Sequence, residues 1–385
     1  MKAYLWKLLI CAQTLLALRV ILRLLYTSKG VRIESQDAEH AVDECVTILV
    51  PVLNEYKRLT FCLEGLLAQG REVAEIIVID GGSIDGTREL VASFAHRDVR
   101  LRLVDASPIP SGWNGKVWGL QVGWQAIWDQ PDWVLTIDAD VRPRPLLVSS
   151  MLGFARKEHL DALSVATRQE LGSAGEGLLH PSLLTTLVYR FGAPGRCFRD
   201  VDEVQANGQC FLFRREVLEV SDGFSVNETC HSLSEDVTLA RLMVRAGHAI
   251  GFYETDDLVS VRMYDDWREM WKNWTRSLSL SDHQSPQQSL LSWLEVTLVQ
   301  ALPLPLLITL LLVRVRSRLA LALNGILAAM RLGVLIGTAR AYPLRPWSYW
   351  FSPLCDLPVA FQLARMALRR EHIWRGRKVV RKGSV

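Results

Sequence analysis

Three groups of carboxylates in this 385-residue chain stand out, two at the ends of β-branched runs and one at the head of an apolar helical pattern. Asp80 closes Glu75-Ile-Ile-Val-Ile-Asp80 and opens onto Gly81-Gly82-Ser83, a turn that lets a flat ring approach the backbone. Asp138-Ala-Asp140 follows Trp133-Val-Leu-Thr-Ile137. Two carboxylates one residue apart at a strand exit can share a hard cation that also binds phosphate oxygens. Glu235-Asp236 stands at the head of Ser234-Glu-Asp-Val-Thr-Leu-Ala240, where Ser234 is placed to cap a helix through Val237, Leu239 and Leu242. A carboxylate there can take a proton from a hydroxyl as an electrophilic carbon is attacked. Singly, each group also reads as an ordinary turn, an Asx bond or a complement to a helix N-terminus.

The elements that must position these residues alternate. Runs at Val46–Val52, Ile76–Ile79 and Trp133–Ile137 read as strands, and stretches at Arg58–Gln69 and Thr87–His96 read as helices. That order predicts a parallel sheet with crossover helices, whose ligand crevice lies beyond the carboxyl ends of the strands. No internal repeat or low-complexity tract is present. With 49% hydrophobic and 22% charged residues, disorder is excluded, and the small positive mean hydropathy of +0.14 argues against a purely polytopic transporter.

The net charge of +3 conceals a division. Residues 1–40 hold six Lys/Arg against three acids, residues 41–313 hold 24 against 36, and residues 314–385 hold 14 against two. Basic ends beside apolar segments suit anionic lipid head groups. The seven cysteines contain no CxxC pair, which reads as a reduced, cytosolic catalytic region without structural zinc.

Residues 4–26 are apolar but carry Lys7, Arg19 and Arg23, leaving Leu8–Leu18 uncharged, and no small-residue cleavage site follows. An uncleaved anchor, tilted or lying in the interface, is expected. Val296–Val313 is a further uncharged run, Leu319–Ala339 is broken once by Arg331, and Trp347–Ala364 carries Pro353, Asp356 and Pro358. These predict a helical hairpin followed by a re-entrant or interfacial element. If both hairpin helices cross fully, the loop with Arg314, Arg316 and Arg318 faces outward, against the positive-inside tendency. Gly177–Phe191 is another apolar stretch, suited to the core or to an acceptor entrance in the lipid interface. The expected divisions are an anchor at 1–30, a catalytic domain at 44–285, membrane-associated helices at 290–366 and a basic tail at 367–385.

In this order, the motifs resemble family 2 glycosyltransferases, whose GT-A fold is an α/β architecture that transfers sugars from nucleotide donors. Val46-Thr-Ile-Leu-Val-Pro51-Val-Leu-Asn54-Glu55 resembles that family's first strand and loop, which implies donor contacts for Pro51, Asn54 and Glu55. Glu75 to Thr87 resembles the Val-Asp-Asp-Gly-Ser-x-Asp-x-Thr signature with Gly81 in place of the second Asp, implying Asp80 as the nucleobase contact. Asp138 and Asp140 would hold Mg²⁺ or Mn²⁺ on the donor diphosphate, Asp138 also touching the donor. Asp236 would be the catalytic base, with Glu235 beside the acceptor.

Pro110-Ser-Gly112-Trp113-Asn-Gly115-Lys116-Val-Trp118 resembles the Gly-Trp-x-Gly-Lys segment of carotenoid, hopanoid-associated and ceramide-type members, in which Lys116 would offset donor phosphate charge. Asn207-Gly208-Gln209-Cys210-Phe-Leu-Phe-Arg214-Arg215 resembles the same branch and implies Gln209 near the acceptor. The family's Gln-x-x-Arg-Trp is replaced by Met263-Tyr264 and a helix from Trp267, where Trp271, Trp274 and Arg276 are the candidates to border donor phosphates and acceptor. Trp350 to Pro358 and His372 to Arg377 resemble the tail of carotenoid and ceramide-type enzymes. His231 and the other histidines read as surface or core residues.

The resemblance implies an inverting, metal-dependent transfer of one sugar to the hydroxyl of a membrane lipid, a hydroxylated carotenoid glycosylated at its 2'-hydroxyl being favoured. A hopanoid, ceramide or diacylglycerol acceptor, a polyprenyl-phosphate sugar synthase, and a non-enzymatic scaffold with a degenerate fold are the alternatives. UDP-glucose is the default donor, with a GDP-sugar open, and no nucleic acid partner is expected. The expected location is a bacterial cytoplasmic membrane with the catalytic domain on the cytosolic side and an even number of crossings, or none, after Val296.

Overall fold

A computed structural model describes residues 2–36, 44–128, 130–220, 222–230, 232, 234–278, 286–314, 317–367, 371–374 and 377–380. His231 and the Arg375-Gly376 pair of the tail motif lie outside the described residues. The chain forms two compact units, one of residues 30–169 and 194–263, the other of 1–29, 170–193 and 264–385. The described residues of 170–193 and 264–278 group with the terminal helices.

Among its described residues the α/β unit has twelve strands: β1 (Arg32–Ile33), β2 (Val46–Val52), β3 (Val73–Asp80), β4 (Leu101–Asp105), β5 (Trp133–Ile137), β6 (Val141–Pro143), β7 (Ala162–Ala166), β8 (Arg168–Gln169), β9 (Arg196–Phe198), β10 (Cys210–Arg214), β11 (Ile250–Thr255) and β12 (Val259–Val261). The main sheet runs β1-β11-β7-β10-β5-β2-β3-β4, with β9 added on β11, and β6-β12-β8 form a small second sheet. β10 is antiparallel to both β5 and β7, whereas β5, β2, β3 and β4 are mutually parallel.

Period-two alternation sends each strand's residues to two cores. Ile48, Val50, Ile76, Val78, Leu135 and Leu212 face one; Leu49, Ile77, Ile79, Val134, Phe211 and Phe213 face the other. Helix Tyr56–Leu67 covers the first with Leu59, Cys62, Leu63 and Leu66, one apolar stripe at helical spacing. Helix Gly115–Gln125 lies on the opposite face through Val117 and Leu120. It approaches the sheet closely because Gly123 has no side chain: a Cβ there would meet Ile79 Cδ1 at 2.7 Å.

In the other unit, Trp6–Thr27 and Arg318–Gly337 are long and apolar enough to cross a membrane. Gln287–Ala301 and Pro303–Leu312 form a third, broken apolar pair bent by 44°. The expected straight run Val296–Val313 is thus a π-helical turn at Val296–Ala301 joined to a helix that starts at Pro303. Pro303 and Pro305 lack the N–H groups that would continue the ladder. Trp347–Cys355 is a 3₁₀ segment leading into helix Asp356–Ala367, so the Pro-containing stretch is no single spanning helix. Inside this unit Arg331 and Asp356, both almost wholly buried, pair at 2.8 Å, and Ser182 and Gln300 also donate to Asp356. Gly177–Phe191 lies in helix Ala174–Phe191 of this unit.

Candidate functional site

β2, β3 and β5 are neighbours, so the loops after their carboxyl ends meet. Chain order passes from β2 outward to β3 and β4 and then returns to β5 on the other side of β2, the kind of switch point where open α/β sheets bind ligands. β10 enters antiparallel with Cys210 opposite Ile137, which brings Gly208 and Gln209 to the same edge as Asp138.

The first two loops lock together. Asn54, at φ 56°, accepts the Ile84 amide on Oδ1 at 2.9 Å, and its own amide donates to Ser83 Oγ at 2.8 Å. Asp85 accepts the amides of Tyr56 and Thr87, tying the same loop to the helix starts at Tyr56 and Thr87. Asp80 is fully buried, accepts the amides of Gly82 and Ser83, and pairs with Arg88 Nε at 3.0 Å. Asp80, expected as the nucleobase contact, has its oxygens on the loop's amides and on Arg88. Pro51 lies within β2 in register with Ile79, where the Cβ position of Gly119 would be 3.5 Å from its own Cβ. Glu55 immediately precedes helix Tyr56–Leu67 without a side-chain cap, its amide donating to Thr87 Oγ1 at 3.0 Å and its carboxylate charge acting on Asp140.

Asp138 is set by the strand pair itself, its amide donating to the Gln209 carbonyl at 3.1 Å. Asp140 Oδ1 is buried and has no hydrogen-bond partner. Burial, then the charges of Asp138 and Glu55, push the Asp140 carboxyl up to about 8. An orphaned oxygen among several acids suits a hard cation, whose charge would relieve both burial and repulsion. No group of three or more metal-type side chains occurs among the described residues. The protein's share would be Asp138 and Asp140, leaving other positions to phosphate oxygens and water, as is usual for Mg²⁺ beside a diphosphate.

Lys116 occupies the first turn of helix Gly115–Gln125, which Asn114 caps by accepting the Lys116 amide at 3.0 Å. Its ammonium lies 2.7 Å from Asp138 Oδ1 and 3.0 Å from Glu235 Oε1, and donates to the Gly208 carbonyl at 3.3 Å. Burial favours a neutral amine, but the charges of Asp138 and Glu235 outweigh it and hold Lys116 firmly protonated. Gly208 turns its amide the other way, to Asp236 Oδ2 at 2.7 Å, while Asp236 Oδ1 accepts the Val237 amide at 2.8 Å. Ser234 precedes this helix without a side-chain cap, so the expected cap is corrected: Asp236 itself takes a first-turn amide. Beneath Asp236 lies a cavity walled by Val117, Leu120, Phe211, Phe213, Phe224 and Leu239, with about 20 Å³ of room, enough for a single water. This apolar floor desolvates the carboxyl, and with the Glu235 charge raises it to about 7 against the opposing pull of Lys116.

Of the expected residues, Lys116, Asp138, Glu235 and Asp236 converge directly. Glu235 is held by Lys116 as part of the charge cluster. Gln209 is buried, its Oε1 accepting from Thr167 and Asn207, and it reaches the cluster through its backbone carbonyl on Asp138. Trp271, Trp274 and Arg276 belong to the other unit, on helix Trp267–Ser277. Trp274 stacks on His180 there with ring centroids 4.1 Å apart, and the Arg276 side chain lies outside the described residues. Sequence reasoning passed over Gly208 and Asn114. Both lie inside the quoted motifs, but their contribution is backbone geometry: Asn114 also donates Nδ2 to the Ser232 carbonyl at 2.9 Å and so joins the Lys116 helix to the Asp236 segment.

Residues 47–221 match the family Glycosyl transferase family 2. A probable glycosyltransferase, YdaM, of Bacillus subtilis (strain 168) is 24% identical over 234 residues, 60% of this chain and 53% of that protein. The chain thus spans about half the length of that curated relative. The 4,4'-diaponeurosporenoate glycosyltransferase of Staphylococcus haemolyticus (strain JCSC1435) is 23% identical over 262 residues, 67% of each chain. Among solved structures, the mannosyltransferase PcManGT of Pyrobaculum calidifontis, in complex with GDP-Man and Mn²⁺, aligns with a TM-score of 0.53 at 16% identity, covering 94% of this chain and 96% of that one. The chain therefore has a GT-A fold, with similarity to glycosyl transferase family 2 over residues 47–221.

Proposed function

We propose that the protein is an inverting glycosyltransferase that moves one sugar from a nucleotide-sugar donor to the hydroxyl of a lipophilic acceptor. Asp236 accepts the hydroxyl proton while the acceptor oxygen attacks the anomeric carbon. The bond from that carbon to the diphosphate breaks, and its electron pair leaves with the nucleoside diphosphate. Lys116 offers positive charge to the departing phosphates. Asp138 and Asp140 are the residues that would hold Mg²⁺ or Mn²⁺, which when bound neutralises diphosphate charge.

The observation that carries this reading is the short chain from Asp236 through Gly208 to Lys116 and Asp138, linked at 2.7, 3.3 and 2.7 Å. It joins a carboxyl raised to about 7 to a cation and to the Asp138 carboxylate, whose charge acts on Asp140. The deciding experiment compares wild type and Asp236→Asn in purified membranes with labelled nucleotide sugar. Loss of transfer with donor binding retained supports a hydroxyl acceptor. Unchanged turnover excludes it and favours a polyprenyl-phosphate acceptor, which needs no base.

A hydroxylated carotenoid is our favoured acceptor. The likeness to the diaponeurosporenoate enzyme over the same share of both chains supports it. UDP-glucose is the working donor, and a GDP-sugar the alternative. The two long apolar helices would keep the α/β unit at a cytosolic membrane face. Deleting the protein and analysing polar lipid and pigment extracts by mass spectrometry tests the acceptor directly, since the missing glycoside names acceptor and sugar together.

A further inference from the structure

Glu295, 2% exposed, is met by two arginines of helix Lys2–Thr27: Arg19 Nε lies 2.8 Å from Oε1 and Arg23 Nη1 3.0 Å from Oε2. Arg23 also donates to the Tyr189 carbonyl. The next residue, Arg190, is 7% exposed, and its guanidinium meets carbonyls, those of Thr186 at 3.1 Å and Leu278 at 3.5 Å, with no carboxylate in hydrogen-bond reach among the described residues. Burial draws its pKa down to about 10, with Glu295 and Arg23 the nearby charges, so it stays cationic at neutral pH. Among the described residues, Arg19 and Arg23 therefore share one carboxylate, and Arg190 adds a third guanidinium within reach of its charge. Such an excess, withdrawn from water, is costly unless a further anion completes it. Arg19, about half exposed, has no partner for its two terminal nitrogens among the described residues and forms the open side of the cluster.

The position supplies the ligand's chemistry. Arg19 directly follows the uncharged run Leu8–Leu18, and Arg23 lies one turn further on the same helix face. Basic side chains at the end of an apolar helical run reach the phosphate layer of a bilayer. We propose that Arg19, Arg23 and Arg190 around Glu295 form a binding site for the phosphate of an anionic lipid. This site is separate from the sugar-transfer crevice and from diffuse attraction of the basic tail.

Native mass spectrometry of the full chain, released from detergent with phosphatidylglycerol or phosphatidylcholine, reads the site. Phosphatidylglycerol is expected to be retained preferentially, and Arg19→Gln, a half-exposed change, to lower that preference by about fivefold, the effect of one basic residue at an anionic surface. Glu295→Gln, which removes the opposing charge, is expected to raise it, and Lys378→Gln in the tail to leave it unchanged. Equal retention of both lipids overturns the proposal. So does an unchanged preference in Arg19→Gln, a tail variant with the same loss, or displacement of phosphatidylglycerol by millimolar inorganic phosphate.

Discussion

Lys116 Nζ stands 2.7 Å from Asp138 Oδ1, so an ammonium occupies the place beside that carboxylate which a divalent cation would contest. Its second partner, Glu235, adjoins Asp236, and one side chain thereby links the carboxylate pair to the base. Removing the ammonium leaves Asp138 and Glu235 uncompensated. Lys116→Met is expected to bind Mn²⁺ without nucleotide about tenfold more tightly, roughly the 1.4 kcal/mol of a modest charge change, while binding nucleotide sugar more weakly. Manganese titration by electron paramagnetic resonance, alongside donor calorimetry, checks both signs. Metal affinity that is unchanged or weaker would exclude the competition.

Asp236 gives the reaction its pH dependence. Its carboxyl is raised to about 7, with burial the leading cause, and the base form is the deprotonated one. The kcat/KM for sugar transfer should therefore climb as pH rises through about 7 and level off above it. The stability sign is opposite. A folded-state value above the ordinary carboxyl value favours the folded protein at low pH, and that contribution is lost as pH rises through the folded value. Asp236→Asn removes both effects, so its residual activity and its share of thermal stability should be flat across this window.

Two glycines differ in what they permit. At Gly81 a Cβ would lie 3.5 Å from Ile109 Cδ1 and 3.6 Å from the Val52 carbonyl, ordinary contact distances. Gly81→Asp, which restores the residue usual in the family signature, should change folding stability by no more than about 0.5 kcal/mol. At Gly123 the nearest atoms would be Ile79 Cδ1 at 2.7 Å and Cγ1 at 2.8 Å, so the helix must lift from the sheet. Gly123→Ala should cost about 1–3 kcal/mol. Chemical unfolding of the two variants, followed by circular dichroism, separates them.

The buried pair of Arg331 and Asp356 sets a test in the helical unit. Either Arg331→Met or Asp356→Leu leaves one charge buried alone and should cost about 3–5 kcal/mol. The double variant should recover much of that loss, because no uncompensated ion remains. Thermal unfolding in detergent of the two singles and the double completes the cycle. Additive losses would mean that the pair does not act as a unit.

The strands were legible because their signal is local. Val46–Val52 and Trp133–Ile137 are bounded as their β-branched runs predict, and Ile76–Ile79 is the centre of a longer strand, Val73–Asp80. The order of acidic motifs along the chain was equally legible, since Asp80 and Asp138 lie at strand ends and Glu235-Asp236 at a helix start. Less visible were features made by partners distant in sequence. Asp80 stands at a strand end in the sequence, and its partners, the Gly82 and Ser83 amides and Arg88, are visible only in the fold. Ser234 has a capping residue's chemistry, yet Asp236 takes the amide.

By itself, then, the sequence determined the strand–helix alternation, the identity of the carboxylates and the placing of apolar segments at both ends, because each follows from composition and periodicity over a few residues. Only the tertiary structure decided that β10 enters antiparallel beside β5. That pairing carries Gly208 between Lys116 and Asp236 and makes one cluster of residues 116, 138, 208, 235 and 236. It also assigned residues 170–193 and 264–278 to the helical unit. Register and unit membership are set by burial shared among segments far apart in the chain, and no local pattern encodes which of several apolar partners a segment will meet.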